Sequence, residues 1–233
     1  ELVHFLKGAY SIVEDVGTTA EDMSVIHTVT PYVAGLSDSG SGDTSPATAW
    51  GVYCGIKSAV QERLDTGDLR GLSVAIQGLG NVGWHLARRL HEAGAKLFVS
   101  DIHNQRMREA EELFRATPIP AYRIYDAPVD VFAPCALGTI INNETLPRLK
   151  AKIVAGSANN QLAEHRHGDE LKARNILYAP DYAINAGGVI NISFEYSGTY
   201  DQEAAYRHVS GIGSTLSAIF KRARWLDIST NAA

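Results

Sequence analysis

The 233-residue sequence has few of the features that mark secreted, membrane-spanning or nucleic-acid-binding proteins. Its two cysteines, Cys54 and Cys135, are too few for a disulfide framework, which favours a reducing, cytoplasmic location. No uninterrupted apolar run reaches the roughly 18 residues needed to span a bilayer, so no membrane partner is expected. A net charge of -5 without a basic run argues against nucleic acid as a partner. The composition is that of an ordinary soluble globular protein.

The two ends of the sequence are unusual. The chain starts at Glu1 without an initiator Met, and residues 1–6 lack the basic start and the cleavage site of a signal peptide. Residues 211–233 have a helical pattern that stops without a cap or a closing element. We therefore expect a chain that is cut at both ends.

The most informative stretch is residues 72–83, where an apolar, strand-like run leads directly into the pattern G-x-G-x-x-G. Gly78 would allow the tight turn out of the strand, Gly80 would let backbone approach a pyrophosphate, and Gly83 would let helix and strand pack closely. A helix-like segment follows at 84–93, and the free N–H groups at a helix start favour a bound anion. The alternative is a glycine-rich turn that binds nothing. Strand, glycines, helix and second strand nevertheless occur in the order that supports a dinucleotide site.

An acid at the end of the second strand indicates which dinucleotide is expected. Residues 95–100 form an apolar run that leads to Asp101, 18 positions after Gly83. This is close to the roughly 20-residue spacing of the acid that accepts a ribose hydroxyl. A carboxylate here would repel a 2′-phosphate, and no arginine follows before Arg106. The sequence therefore predicts NAD as the cofactor rather than NADP.

Strand-like and helix-like segments alternate along the chain. Helical periodicity is found in residues 47–64, before the glycine motif, and in residues 105–114, after it. Short apolar strands are predicted at 129–133, 153–155 and 176–179, each followed by small or polar residues. This alternation predicts an α/β fold with a Rossmann-type, doubly wound, mostly parallel sheet, whose ligands bind beyond the carboxyl ends of the strands.

Several polar residues are candidates for chemistry, and each has an ordinary structural alternative. Asp15 could act as a general acid or base if burial raises its pKa, or it could be a solvated loop acid. The amides of Asn160 and Asn185 could bind a carboxamide or a ribose, or they could simply form turns. Cys135 could be a thiol nucleophile, although a buried structural cysteine is favoured.

The histidines do not indicate a metal site. His165 and His167 lie two residues apart in a polar stretch, without nearby cysteines or a set of carboxylates, which is unlike a zinc site. We expect a solvated loop here and no bound metal.

Several stretches together resemble one family, the amino-acid dehydrogenases of the glutamate, leucine, phenylalanine and valine group, and most closely its leucine-specific members. The matches occur in the family's order and extend over nearly the whole chain. They are E-D-V-G-T-T at 14–19, S-P-A-T-A-W-G-V-Y at 45–53, Q-G-L-G-N-V at 77–82, F-A-P-C-A-L-G at 132–138, I-V-A-G-S-A-N-N-Q at 153–161 and Y-A-P-D-Y-A-I-N-A-G-G-V-I-N at 178–191.

The resemblance implies oxidative deamination of an L-amino acid to its 2-oxo acid, with NAD as hydride acceptor and release of ammonia, and the reverse reductive amination. Asp15 would be the catalytic aspartate that handles protons as water attacks the imino acid. Thr48 would hold the nicotinamide carboxamide. The pyrophosphate would be held at Gly78, Gly80, Asn81, Val82 and Gly83, the adenosine ribose by Asp101, and the nicotinamide end would be lined by Cys135, Ala136, Asn160 and Asn185.

The resemblance also implies a substrate pocket formed by Val13, Val189 and Ile192. Aliphatic side chains suit a branched-chain amino acid through apolar burial. Such a pocket discriminates by only about 1–3 kcal/mol per methylene, so an aromatic amino acid is the alternative substrate. A non-catalytic NAD-binding module is a second alternative.

The sequence also departs from the family pattern. Thr44 stands where many relatives have Pro, and residues 193–196 differ from the usual end of the pocket wall. Nothing matches the Gly-rich N-terminal segment that carries the family's two functional lysines. Such a chain is expected to bind NAD without turnover, and the full-length protein is expected to form a homo-oligomer.

The pattern of segments along the chain and the resemblance together predict four parts. These are a remnant of an N-terminal substrate domain at 1–45, a connecting helix at 46–70, the NAD-binding domain at 71–200 and a truncated C-terminal helical segment at 201–233.

Overall fold

The computed structural model describes residues 2–14, 17–36, 41–195 and 200–233. Its strands, in chain order, are β1 (Ile12–Val13), β2 (Val33–Ala34), β3 (Ser73–Gln77), β4 (Lys96–Ser100), β5 (Thr117–Pro118), β6 (Val131–Pro134), β7 (Ile153–Val154) and β8 (Leu177–Tyr178). Its α-helices are α1 (Leu2–Phe5), α2 (Ala20–His27), α3 (Ser45–Leu64), α4 (Asn81–Glu92), α5 (Asn104–Phe114), α6 (Arg166–Ala173), α7 (Asp181–Ile184), α8 (Gly187–Ser193), α9 (Gln202–Ser210) and α10 (Ile212–Leu226). Short 3-10 helices lie at Ala121–Asp126 and Leu146–Arg148.

Six strands form one sheet in the order β5-β4-β3-β6-β7-β8, and each neighbouring pair is parallel. The chain enters at the central strand β3, runs outward through β4 and β5, and then crosses to β6 and on to β8. This is the doubly wound order, in which the reversal of direction leaves a crevice at the carboxyl ends of β3 and β6. The predicted α/β fold class is therefore confirmed.

The sheet is buried on both faces, as the continuous apolar strands predict. Successive side chains of a strand point to opposite faces. Val74 and Ile76 accordingly belong to the larger apolar core, together with residues of α3, α4 and α10. Ala75 belongs to a second core on the other face, together with Phe132 and Ile124.

Helix α3 lies close to several other helices because glycines remove side chains from its contact face. A Cβ atom on Gly51 would lie 2.6 Å from the side chain of Ile212, and one on Gly55 would lie 2.6 Å from Ile184. The two glycines are four residues apart and therefore share one face of the helix. Helix α3 is thus part of the main core, and its first turn lies against the start of α8.

Asp130 joins the amino ends of three strands at the opposite edge. Its Oδ2 accepts hydrogen bonds from the main-chain N–H of Ser73 (2.9 Å) and from the Ser73 hydroxyl (2.8 Å). Its Oδ1 accepts a hydrogen bond from Lys152 Nζ at 2.8 Å. Burial alone would raise the pKa of Asp130, but the bonds from Lys152 and Ser73 together outweigh it and hold this pKa below its usual value.

Two sequence-based expectations are wrong, and one strand has no predicted counterpart. Helix α4 begins at Asn81 rather than at residue 84, so Gly83 lies inside the helix. Strand β5 was not predicted; it is two residues long, at the sheet edge, and contains Pro118. The helical pattern does not continue to residue 233, because α10 ends at Leu226 and Asp227 adopts a left-handed conformation with φ of 54°.

No helix in the described parts of the chain is both long and apolar enough to cross a bilayer.

Candidate functional site

The three glycines after β3 have three different surroundings. A Cβ atom on Gly83 would lie 2.0 Å from the carbonyl oxygen of Gly78, so helix α4 packs directly on the turn. Gly78 has φ of +98°, and a Cβ there would lie 2.9 Å from Ala136. A Cβ on Gly80 would have no heavy atom within 4 Å. Two glycines are therefore required by the packing of the protein itself, whereas Gly80 borders open space.

The start of α4 is open to a ligand. Gly80 is its N-cap residue and supplies no side-chain hydrogen bond to the first turn. The main-chain N–H groups of the first turn of a helix have no partner within the helix, and they lie at its positive end. An open glycine followed by uncapped N–H groups is the arrangement that accommodates a phosphate.

Asp101 lies beside this turn, as its spacing predicts. Its Oδ2 accepts the N–H of Leu79 at 2.6 Å, and its Oδ1 accepts the N–H of His103 at 2.8 Å. A recess of about 740 Å³ follows Asp101 and is lined by Ile102, His103, Asn104, Gln105, Arg106 and Glu109. The guanidinium of Arg106 lies 5.4 Å from the ring centre of Trp84, so it stacks on that indole.

Cys135 and Ala136 close the other side of the turn. The N–H of Cys135 donates to the carbonyl of Gln77 at 2.7 Å. This hydrogen bond extends the pairing of β3 with β6 by one residue beyond the end of β6. Burial raises the pKa of the Cys135 thiol, and hydrogen bonds with Ser157 offset this only in part. A thiol with a raised pKa is a poor nucleophile at neutral pH, which favours a packing role for this cysteine.

The side chain of Asn185 is held by the loop after β7. Asn185 Nδ2 donates to Asn159 Oδ1 at 2.5 Å and to the carbonyl of Ser157 at 3.2 Å. Asn160 turns the chain with φ of +49°, and its carbonyl accepts the N–H of Thr139 at 2.6 Å. Asn159 and Ser157, which hold the Asn185 amide, were not singled out from the sequence.

The first turn of α3 and the start of α8 are in contact. The hydroxyl of Thr48 donates to the carbonyl of Thr44 at 3.1 Å. A Cβ atom on Gly188 would lie 2.7 Å from Thr48 Oγ1, and one on Gly187 would lie 2.4 Å from the carbonyl of Ala47. Thr48 is therefore adjacent to the helix that carries two of the predicted pocket residues.

The three predicted pocket residues differ in exposure. Ile192 is 8% exposed and belongs to the packed face of α8, whereas Val189 is 74% exposed. Val13, on β1, is 38% exposed. Strands β1 and β2 are parallel, with Val13 opposite Ala34.

The remaining candidates are an aspartate and a histidine. Asp15, the predicted catalytic residue, lies outside the described residues. His167 is completely buried, contrary to the expected solvated loop: its Nδ1 accepts the N–H of Glu164 at 3.0 Å, and its Nε2 lies 3.1 Å from Asn143 Oδ1. No cluster of three or more histidine, cysteine or carboxylate side chains suited to a metal occurs among the residues that the structure describes.

The strand order and the glycine turn define a Rossmann-type α/β fold. The sequence matches the model of the Glutamate/Leucine/Phenylalanine/Valine dehydrogenase family over residues 39–104 and 98–210. Because these matches include more than half of the chain, the chain belongs to that family.

Individual relatives carry different substrate names. The chain is 48% identical over 230 residues to a leucine dehydrogenase of Bacillus cereus, covering 98% of this chain and 63% of the relative. It is 47% identical over 232 residues to an L-tryptophan dehydrogenase of Nostoc punctiforme, covering 99% and 65%. It is 40% identical over 237 residues to a phenylalanine dehydrogenase of Caldalkalibacillus thermarum, covering 99% and 64%. The chain thus spans less than two thirds of the length of each of these relatives.

A solved structure has the same fold. The crystal structure of L-tryptophan dehydrogenase from Nostoc punctiforme matches with a TM-score of 0.87 and 44% identity, covering 99% of this chain and 66% of that chain.

Proposed function

We propose that the chain is the NAD-binding part of an amino-acid dehydrogenase. In the complete protein it would catalyse the oxidative deamination of a branched-chain, leucine-like L-amino acid to its 2-oxo acid, and the reverse reductive amination. The observation that supports the NAD proposal is that the three glycines after β3 have different surroundings. Gly83 and Gly78 are required by packing, whereas Gly80 has no neighbour within 4 Å and leads into an uncapped helix start.

The chain's own residues fit such a cofactor. The N–H groups from Gly80 to Gly83 would hold the diphosphate, and the Asp101 carboxylate would accept a ribose hydroxyl. The negative charge of Asp101 would repel a 2′-phosphate, and Arg106 is stacked on Trp84, so NAD is preferred over NADP. When bound, NAD would accept a hydride from the substrate Cα.

The remaining residues would bind and orient the reacting groups. Thr48, adjacent to α8, would hold the nicotinamide carboxamide, and Cys135, Ala136 and Asn185 would line the same end. Asn160 would act there through the loop that it turns, while Asn159 holds the Asn185 amide in one orientation. Asp15 would take up and return protons at the substrate nitrogen and at the attacking water.

The substrate proposal is supported by the aliphatic residues Val13, Val189 and Ile192 and by the similarity to a leucine dehydrogenase. An aromatic amino acid is the second candidate, because an L-tryptophan dehydrogenase is almost equally similar. Pocket residues of this kind separate substrates by only a few kcal/mol, so a direct comparison is required.

Two measurements test the proposal. Calorimetric titration of the 233-residue chain with NAD should give saturable heat, and NADP should bind more weakly; no heat with NAD would contradict the cofactor assignment. The complete gene product should then be assayed for formation of reduced cofactor with leucine, valine, phenylalanine and tryptophan. We expect the highest kcat/KM with leucine or valine. Turnover of aromatic substrates alone would favour the second candidate, and binding without any turnover would favour a non-catalytic module.

A further inference from the structure

Glu195 connects two parts of the chain that are far apart in sequence. It lies just after α8, and both of its carboxylate oxygens are 3.2 Å from the main-chain nitrogen of Gly35. Its Oε1 also accepts the N–H of Ser41 at 2.5 Å. One half-buried carboxylate therefore binds main-chain donors at two points, 160 and 154 residues away along the chain.

The first of these donors anchors the β1–β2 pair. Gly35 directly follows β2 and has φ of +85°, which turns the chain at that point. Strand β2 pairs with β1, which carries Val13. The position of Val13 on β1 therefore depends on the Glu195 carboxylate, which binds Gly35 at the end of the paired strand β2.

Glu195 also lies close in sequence to the other two predicted pocket residues, Val189 and Ile192. Glu195 is three residues beyond Ile192, and α8 carries both Ile192 and Val189. The start of α8 is held against the first turn of α3 by Gly187 and Gly188. Glu195 therefore connects a helix that is held in place by close packing to the β1–β2 pair.

The stability of α8 does not explain an acid at this position. Carboxylates near the C-terminus of a helix are unfavourable because that end is already negative. The carboxylate instead satisfies N–H groups of another segment, which is a charge-assisted interaction. A glutamine of the same shape would place an NH₂ donor against at least one of these donors.

We propose that Glu195 is a positioning residue that sets the spacing between the β1–β2 pair and α8, and thereby the width of the amino-acid side-chain pocket. This inference rests on the proposed amino-acid dehydrogenase function. It adds a specificity determinant that does not itself touch the reacting atoms.

The test uses the complete gene product with Glu195→Gln, and with Glu203→Gln as the matched control. Glu203 lies on the exposed face of α9 and pairs only with Arg207 among the described residues, so its substitution removes the same charge away from the site. The measurements are amide hydrogen exchange of peptides spanning residues 33–45, the Kd for NAD, and kcat and KM for leucine, valine and phenylalanine.

In Glu195→Gln we expect exchange in this peptide to become about tenfold faster or more, since the bonds to Gly35 and Ser41 are weakened. We expect the KM for leucine to rise about tenfold, the preference for leucine over phenylalanine to narrow, and the Kd for NAD to stay within about twofold. Glu203→Gln should leave all of these values unchanged. Glu195→Asp retains the charge with a shorter reach, and should fall between wild type and Glu195→Gln.

Two results would overturn the inference. Unchanged exchange in both Glu195 variants would show that the carboxylate does not hold the segment. If amide exchange became faster while the KM values and the preference for leucine over phenylalanine stayed unchanged, Glu195 would stabilise this segment without affecting substrate specificity. If the wild-type protein turned over no amino acid at all, the proposed function would fail as well, whereas the exchange data would still decide whether the contact exists.

Discussion

The carboxylate of Asp101 accepts the main-chain N–H of Leu79 at 2.6 Å. The acid that is proposed to bind the ribose therefore also shapes the turn that is proposed to bind the diphosphate. A second bond, from the N–H of His103, fixes the other oxygen of the same carboxylate. The loop conformation and the proposed preference for NAD would thus depend on the same side chain.

Replacing Asp101 by alanine is expected to weaken NAD binding about 10- to 100-fold. Hydrogen bonds to charged groups contribute about 1.5–3 kcal/mol each, and the turn also loses its support. Calorimetry with NAD and thermal unfolding would measure both effects. Asp68→Ala is the control, because Asp68 is an exposed acid paired with Arg70. An unchanged Kd in Asp101→Ala would contradict the ribose assignment.

Alanine substitutions at Gly83 and Gly80 should affect different properties of the protein, namely the stability of the fold and the affinity for NAD. Gly83→Ala would place a Cβ atom 2.0 Å from a carbonyl oxygen, and should destabilise the fold by about 1–3 kcal/mol or more. Gly80 has φ of -63° and no neighbour within 4 Å, so Gly80→Ala should fold with a similar Tm. Its added methyl group would occupy the approach of the diphosphate, and the Kd for NAD should rise at least about tenfold. If Gly80→Ala bound NAD normally, the diphosphate would have to lie elsewhere.

Asp130 should make stability depend on pH. Its pKa is lower in the folded protein than its usual value of about 3.9, so its contribution is complete above about pH 5 and is lost as the pH falls through the folded pKa. Asp130→Asn should lower the free energy of unfolding by about 1–3 kcal/mol at pH 7, and the difference from wild type should shrink in acid. Urea unfolding at several pH values would measure this. Lys152→Met retains the carboxylate and its bonds to Ser73, and should cost less; a pH-independent difference for Asp130→Asn would contradict the assignment.

The two cysteines should react slowly in the native protein. Burial raises the pKa of both thiols, and it outweighs the groups near Cys54, among them Lys57 and Ser210, that lower the pKa of that thiol. Little thiolate therefore exists at neutral pH. A thiol reagent should therefore label neither cysteine rapidly in the folded protein, and both in denaturant. Cys135→Ala should retain activity in the complete gene product. Rapid native labelling of Cys135, together with loss of activity in this variant, would restore the nucleophile hypothesis.

The sequence was most informative where structure is determined locally. The β3–α4–β4 unit and Asp101 followed from periodicity, glycine spacing and one acid, because backbone sterics and strand burial act within about 30 residues. The start of α4 was misplaced by three residues, since Gly83 is a poor helix former whose position is set by its contact with Gly78.

Features that depend on long-range contacts were not predictable. The bond from Gly35 to Glu195 spans 160 residues, and no local pattern indicates it. The hydrogen bond from Asn185 to Asn159 spans 26 residues, and the contact between His167 and Asn143 spans 24. Strand β5 was missed because a two-residue edge strand containing Pro118 carries almost no pattern.

The contact of Gly187 with the carbonyl of Ala47 limits how this scaffold can be redesigned. Since even a methyl group at Gly187 would collide with main chain rather than with a movable side chain, α8 can shift only together with the start of α3. Libraries that alter substrate choice should therefore vary the outward position 189 and its neighbours while retaining both glycines. If either glycine were replaced, α8 would be displaced, and the effect of a new side chain on substrate choice could not be separated from the effect of that displacement.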